Sequence, residues 1–176
     1  MMRFSILLPA FNEAARLPVV LDSIARQRYP RENVEVLIAD GGSTDDTVGI
    51  AQSYGAHTFF NPMRRAEPGA QMALNKATGD VAIFMAADTP INDDAFLQHL
   101  ADAFENLQVA AAFPAVVSTQ QDGATTRYIN AFTDPFNHFV YGGAASPASY
   151  HRTYRLKRRE KGYEIYDFKN GPSPLI

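Results

Sequence analysis

Residues 36–47 read Val-Leu-Ile-Ala-Asp-Gly-Gly-Ser-Thr-Asp-Asp-Thr, an apolar run that stops abruptly at a carboxylate, two glycines and a cluster of hydroxyls and acids. Four apolar residues without polar alternation suit a strand buried on both faces, as in a parallel sheet. Open α/β sheets bind ligands at the carboxyl ends of such strands, so Asp40 is expected at a site rather than in a core. Gly41 and Gly42 permit a sharp turn with a ligand close to the backbone. Ser43 or Thr44 is placed to cap a helix beginning near residues 45–47, whose free amides could face an anion. An ordinary strand-turn-helix with a capping cluster would carry the same letters, so the neighbouring segments decide between the two.

Upstream, residues 3–8 form an apolar strand, followed by Pro-Ala-Phe-Asn-Glu at 9–13 and a helical stretch. Downstream, residues 57–60 read as a short strand closed by Asn61 and Pro62. From Arg64 and Arg65 the chain runs through a loop into a helix expected to open at Gly69, with small Ala73 and Ala77 allowing close approach to the sheet. Either arginine could meet phosphate, and a solvated surface role is equally open to both. Residues 81–85 suit a buried strand that leads into Ala86, Ala87, Asp88, Thr89 and Pro90. Asp88 is either a site carboxylate or the cap of the next helix. Strands and helices in regular alternation predict the α/β class with a mostly parallel central sheet.

In order and spacing, these segments over residues 3–92 resemble the start of family 2 glycosyltransferases, inverting enzymes of the GT-A type, a Rossmann-like three-layer αβα sandwich. The resemblance implies that Asp40 accepts a hydrogen bond from the base of a nucleoside diphosphate sugar and that Pro9, Ala10 and Glu13 shape its pocket. It also implies that the segment carrying Arg65, Gly69 and Asn75 packs under the donor diphosphate, with Ala87 and Asp88 on the same donor. Two positions depart from the family pattern. Gly41 stands where a second Asp is commoner, and Ala86 replaces the first carboxylate of Asp-x-Asp. Asp88 is then the remaining metal ligand, and diphosphate oxygens and water would complete the shell of Mg²⁺ or Mn²⁺.

The implied reaction moves a sugar with inversion to a hydroxyl of a polysaccharide, glycan or lipid-linked acceptor. UDP or GDP suits Asp40, which can accept from the imide N–H of uracil or N1–H of guanine. Inversion needs a carboxylate base. The family supplies an acidic pair beyond a Gly-Gly segment, and none follows Gly142 and Gly143 here, so the catalytic base is unassigned. The apolar ending at residues 171–176 reads as truncation of the acceptor side. Two rivals stand beside this reading. A non-catalytic nucleotide-sugar binding module would explain Ala86 and the missing pair. A sugar-phosphate nucleotidyltransferase would show a Gly-rich, Arg-containing loop after the first strand, and a Rossmann dehydrogenase would show Gly-x-Gly-x-x-Gly; residues 9–13 match neither.

A chain of 176 residues, 46% hydrophobic, is expected to form one domain, with residues 1–92 as the nucleotide-sugar half and 93–176 as an incomplete acceptor half. A net charge of −3 argues against nucleic acid as a partner, and the absence of cysteine excludes disulfides and thiolate chemistry. No apolar run approaches the roughly 20 residues that cross a bilayer, so a cytoplasmic location is expected, including the inner face of the membrane. Residues 93–107 show the spacing of an amphipathic helix, and 109–118 a strand interrupted by Pro114. The aromatic stretch from Tyr128 to Tyr141 suits either sugar stacking on the acceptor side or a helix face at 129–141. His138 and His151 are bases on chemistry alone, and a structural role is the commoner one. The basic run Arg152, Arg155, Lys157, Arg158, Arg159 and Lys161 is either a solvated helix face or a contact for anionic lipid or a lipid diphosphate.

Overall fold

The computed structural model describes residues 1–106, 154–160 and 163–168, with isolated positions between 109 and 127. The chain divides into two compact units, Met1–Ala101 and Asp102–Ile176. The first contains strands β1 (Phe4–Ala10), β2 (Val34–Asp40), β3 (His57–Phe60) and β4 (Val81–Phe84). They form one parallel sheet in the order β3-β2-β1-β4. Helices α1 (Leu17–Ala25), α2 (Thr47–Ser53) and α3 (Ala66–Leu74) connect them, and α4 (Phe96–Phe104) follows.

The two-residue period of a strand sorts the core into layers. Along β1, Ile6 and Leu8 join Leu17, Val20, Leu21 and Ile24 of α1, while Phe4 meets Tyr29, Leu97 and Ala101. The intervening Leu7 faces the other way, with Leu37 and with Ala73 of α3. Phe4, Ile6, Leu7 and Leu8 are wholly buried. Each such side chain contributes about 1.5–3 kcal/mol relative to exposure. Helices therefore cover both faces, the three-layer α/β arrangement that the resemblance implies. The register pairs Ala10 with Asp40 and Asp40 with Phe60, so the loops leaving β1, β2 and β3 emerge side by side.

Three details differ from the sequence reading. Helix α3 opens at Ala66 rather than Gly69, because Arg65 is extended and Pro68 falls in the first turn, where its missing amide costs nothing. Gly69 lies inside the helix at its closest approach to the sheet. A Cβ there would come within 2.8 Å of the Asn61 side-chain nitrogen and 3.3 Å of the Cβ atoms of Ala39 and Pro9. Strand β4 is only partly buried and Phe84 is 60% exposed, since among the described residues β4 pairs with β1 alone. The basic run is not helical: β5 (Tyr154–Glu160) pairs antiparallel with β6 (Tyr163–Phe168), a hairpin rich in tyrosine and other strand formers. Arg158 there bridges to Glu160 at 2.8 Å. The strand expected through Pro114, the helix expected at 129–141, Gly142, Gly143, His138 and His151 lie outside the described residues.

At the amino end of the sheet, Glu35 is the node that ties α3's exit to β1. Its Oε1 accepts from the Ser5 hydroxyl at 2.5 Å and from the Thr78 amide and hydroxyl at 2.6 and 3.0 Å, while the Gly79 amide donates to Ser5 at 2.8 Å. Partial burial pushes the Glu35 carboxyl up, but the bonds from Ser5, Thr78 and Gly79 outweigh it and hold the group below its ordinary 4.5. A carboxyl lowered on folding contributes stability that is present above its unfolded pKa and lost as pH falls through the folded value. Glu35→Gln is therefore expected to unfold at lower urea than the wild type at neutral pH, with the gap closing as pH falls below 4.5 and through the lowered folded value. Urea midpoints measured across that range check it; a gap independent of pH would show that the carboxylate charge is not what Ser5 and Thr78 hold.

Candidate functional site

Asp40 ends β2 with 7% of its surface exposed. Its Oδ2 accepts from the amides of Gly42 at 2.9 Å and Ser43 at 3.0 Å, and its Oδ1 accepts from the Ser43 hydroxyl at 2.5 Å. Gly42 takes φ of +83°, the left-handed turn that lets the loop fold back on the carboxylate. The Gly42 and Ser43 amides are thus turned to Asp40 itself, and of the helix-start amides expected to be free for an anion, that of Thr47 is taken by Asp45. Ser43 and Thr44 do not cap α2, because both are bound elsewhere. The N-cap residue is Asp46, which makes no side-chain cap bond; Asp45, one residue earlier, accepts the Thr47 amide at 3.1 Å as well as its hydroxyl. The Thr47 hydroxyl dominates over slight desolvation and, with the Ala14 and Thr47 amides, holds the Asp45 carboxyl below its ordinary range.

The β1 loop is stitched to this turn. Amides of three successive residues donate to its side chains: Asn12 to Ser43 at 2.9 Å, Glu13 to Thr47 at 2.8 Å and Ala14 to Asp45 at 3.1 Å. In return the Thr44 amide donates to the Asn12 side-chain oxygen at 2.8 Å. Asn12 sits at φ 54°, a left-handed conformation that asparagine tolerates better than most residues. The hydroxyls and acids of residues 43–47 therefore serve mainly to fix one loop against the other.

Beside the stitched loops lies a cleft of about 110 Å³, lined by Pro9, Ala10, Phe11, Gly41, Asn61, Arg64 and Arg65 among others. Asn61 forms its floor, 2% exposed, donating its side-chain amide to the Arg65 carbonyl at 2.8 Å and its backbone amide to the Asp40 carbonyl at 2.7 Å. Arg64 is in the left-handed region at φ 51°, and its guanidinium lies beside Gly42, where a Cβ would meet it at 3.5 Å. Arg65 is exposed and 3.8 Å from Glu67. The fold thus brings Pro9, Ala10 and Arg65 together with the Asp40 loop, with Gly69 packed directly beneath through Asn61.

Glu13 and Asp88 are not among the residues lining this cleft and meet instead through Arg16. Arg16, at the start of α1, places Nε 3.2 Å from the Glu13 Oε2 and Nη1 3.4 Å from the Asp88 Oδ2. Glu13 Oε2 is buried and makes no aligned hydrogen bond. Asp88 is half exposed, and its Oδ1 accepts from the Thr89 hydroxyl at 3.2 Å. Ala87 turns inward and packs in the core with 6% exposure. Asn75 is not brought to the cleft. It closes α3 at the far end, three residues before Thr78 joins Glu35 at the amino side of the sheet, and its side-chain oxygen accepts from Gln71 at 3.0 Å. Phe11 and Asn61 are lining residues that sequence reading missed, although Asn61 follows β3 as Asp40 ends β2, the same strand-end signal.

The sequence profile of the family described as Glycosyl transferase family 2 matches residues 5–170. The chain belongs to that family. Among curated relatives of this family 2 chain is a PGL/p-HBAD biosynthesis glycosyltransferase of Mycobacterium bovis, 40% identical over 91 residues, covering 48% of this chain and 35% of that protein. Another is the poly(ribitol-phosphate) beta-N-acetylglucosaminyltransferase TarS of Staphylococcus aureus, 30% identical over 119 residues, covering 64% of this chain and 19% of TarS. The match thus spans about a third or less of either relative. Among solved structures, TarS 1-349 in complex with UDP-GlcNAc aligns at TM-score 0.54 and 26% identity over 60% of this chain and 32% of that one. A mannosyltransferase of Pyrobaculum calidifontis in complex with GDP-Man and Mn²⁺ aligns at 0.50 and 26% identity over 74% and 39%. The fold of the family 2 chain is accordingly of the GT-A type. Among its described residues no helix is long and apolar enough to cross a membrane, and no group of three acidic, histidine or cysteine side chains gathers to hold a metal.

Proposed function

We propose that this chain carries the donor site of an inverting glycosyltransferase, taking a UDP- or GDP-sugar and passing the sugar to a hydroxyl of a glycan, polysaccharide or lipid-linked acceptor. The observation that carries the reading is the cleft at the carboxyl ends of β1, β2 and β3, lined by Gly41 of the Asp40 loop and by two arginines. Phe11, 48% exposed on the lining, offers a ring face to a base, and the Asp40 carboxylate, next to Gly41 of the lining, would accept a base N–H in place of one of its bonds from Ser43. Arg64 and Arg65 are placed for the diphosphate, whose oxygens suit guanidinium donors. Complexes of TarS with UDP-GlcNAc and of the Pyrobaculum mannosyltransferase with GDP-Man support both donor bases. Residues 1–92 are read as the donor half of one GT-A domain.

In the transfer, the acceptor oxygen bonds to the anomeric carbon as the bond from that carbon to the diphosphate breaks. The nucleoside diphosphate departs with the electron pair, and a carboxylate base takes the acceptor proton. Mg²⁺ or Mn²⁺ would neutralise charge on the departing diphosphate. Of the described side chains, Asp88 would hold it. One half-exposed carboxylate suits a cation that keeps waters and takes its other ligands from diphosphate, as Mg²⁺ commonly does. A non-catalytic binding module is the second reading, favoured by Ala86 and the absence of a gathered metal cluster among the described residues; measurable donor hydrolysis eliminates it. The exposed Lys157, Arg158 and Arg159 support a peripheral contact with an anionic surface at the inner face of a membrane.

Calorimetric titration with UDP, GDP and their sugar conjugates, with and without Mn²⁺, tests the proposal. One nucleotide is expected to bind more tightly with Mn²⁺, and Asp88→Asn should remove the Mn²⁺ effect while leaving nucleotide binding. Silence across the panel, or an undiminished Mn²⁺ effect in Asp88→Asn, overturns the assignment.

A further inference from the structure

Two acids from separate loops, Glu13 after β1 and Asp88 after β4, converge on one guanidinium. Arg16 lies 3.2 Å from the first and 3.4 Å from the second. The pairing is not required by the loop's packing. The segment after Asp88 is fastened to α1 independently, through the Ile91 amide on the Ser23 hydroxyl at 2.9 Å and through Gln27, which takes the Leu97 amide at 3.1 Å and donates to the Asp93 carbonyl at 2.9 Å. Arg16 is therefore not needed to hold the loop, and its charge is available for another task. The acids it neutralises are a half-exposed carboxylate, Asp88, and Glu13, whose Oε2 is buried without an aligned donor.

From this we infer that Arg16 is a resident counter-ion that occupies Asp88 while no donor is bound, so that a divalent cation enters only in company with the diphosphate. The inference rests on Asp88 being the cation ligand, as proposed above. A free cation must displace a positive charge already paired with both acids, and it brings no anion for the displaced guanidinium. A cation arriving with a nucleoside diphosphate brings phosphate oxygens, which a released guanidinium binds in forked geometry. Arg16 thereby becomes a positioning residue that sets the order of loading, cation with donor rather than cation before donor.

The test is Mn²⁺ affinity of the full chain without nucleotide, read by electron paramagnetic resonance of free Mn²⁺, in wild type, R16Q, R16K and R16Q/D88N. R16Q is expected to bind Mn²⁺ about fivefold more tightly than wild type, the scale of one partly exposed charge pair. R16K should stay near wild type because it keeps the charge, and R16Q/D88N should lose the gain. Equal Mn²⁺ affinity in R16Q and wild type overturns the inference, as does a gain that survives in R16Q/D88N, which would mark a general charge effect. Circular dichroism confirms that each variant is folded. The two failures are separable. If R16Q gains nothing while Mn²⁺ still tightens UDP binding in wild type through Asp88, the counter-ion role falls and the donor reading stands.

Discussion

Asp40→Ala is expected to lose nucleotide binding by about 100-fold or more, the worth of one to two hydrogen bonds to a charged group. The effect has two sources. The base loses its acceptor, and the turn loses its organiser, because the Gly42 and Ser43 amides and the Ser43 hydroxyl all donate to this carboxylate. Ser43 in turn receives the Asn12 amide, so the disturbance spreads into the β1 loop beside the cleft. Stability should fall by about 2 kcal/mol, since partly buried amides are left without partners. Asp40→Asn separates the sources: one amide oxygen can still serve the turn, and binding should fall more than stability does. Calorimetry with UDP and GDP, paired with urea unfolding of the same variants, measures both. Normal nucleotide binding by Asp40→Ala would show that the cleft is used for something else.

Gly79→Ala is expected to be the most damaging single-methyl change at the amino end of the sheet. A Cβ there would lie 2.7 Å from the Ser5 hydroxyl, 2.8 Å from the Arg3 carbonyl and 2.8 Å from the Ser5 amide, two of them backbone atoms of β1 and its approach that cannot step aside. Overpacking of this kind costs about 3 kcal/mol, a fall in Tm of roughly 6–12 °C for a chain of this size. Gly55 provides the contrast. Its φ is +76°, and a methyl added there would meet nothing within 4 Å, so Gly55→Ala carries only the left-handed penalty of about 1 kcal/mol. Thermal unfolding of the pair decides the matter; equal Tm values would show that β1 can shift to admit the methyl.

What is legible in the sequence follows from local signals. The run at 57–60 with Asn61 and Pro62 bounds β3, and unbroken hydrophobicity marks β2, because fully buried strands need no partner to announce themselves. The placement of Asp40, Pro9 and Ala10 at strand ends comes from the same source. Misreadings arise wherever a residue's task is set by a partner far along the chain. Ser43 looks like a helix cap in isolation, yet its hydroxyl is claimed by Asp40 and its oxygen by Asn12. Gly69 looks like a helix start, whereas its lack of a side chain answers to Asn61, Ala39 and Pro9. Asn75 carries a motif match but sits at the wrong end of α3 for the cleft. The Arg16 bridge to Asp88 spans 72 positions and has no signature in either segment.

The interlocking of residues 12–14 with 43–47 makes the two turns a single inherited unit. Five side chains and four amides are shared across the seam, so a loop borrowed from a relative would arrive without its complementary half. Chimeras that exchange one segment should fail where chimeras exchanging both succeed. Attempts to retune which donor is chosen would then do better to redraw Phe11, Arg64 and Arg65, whose side chains line the cleft and take no part in the seam.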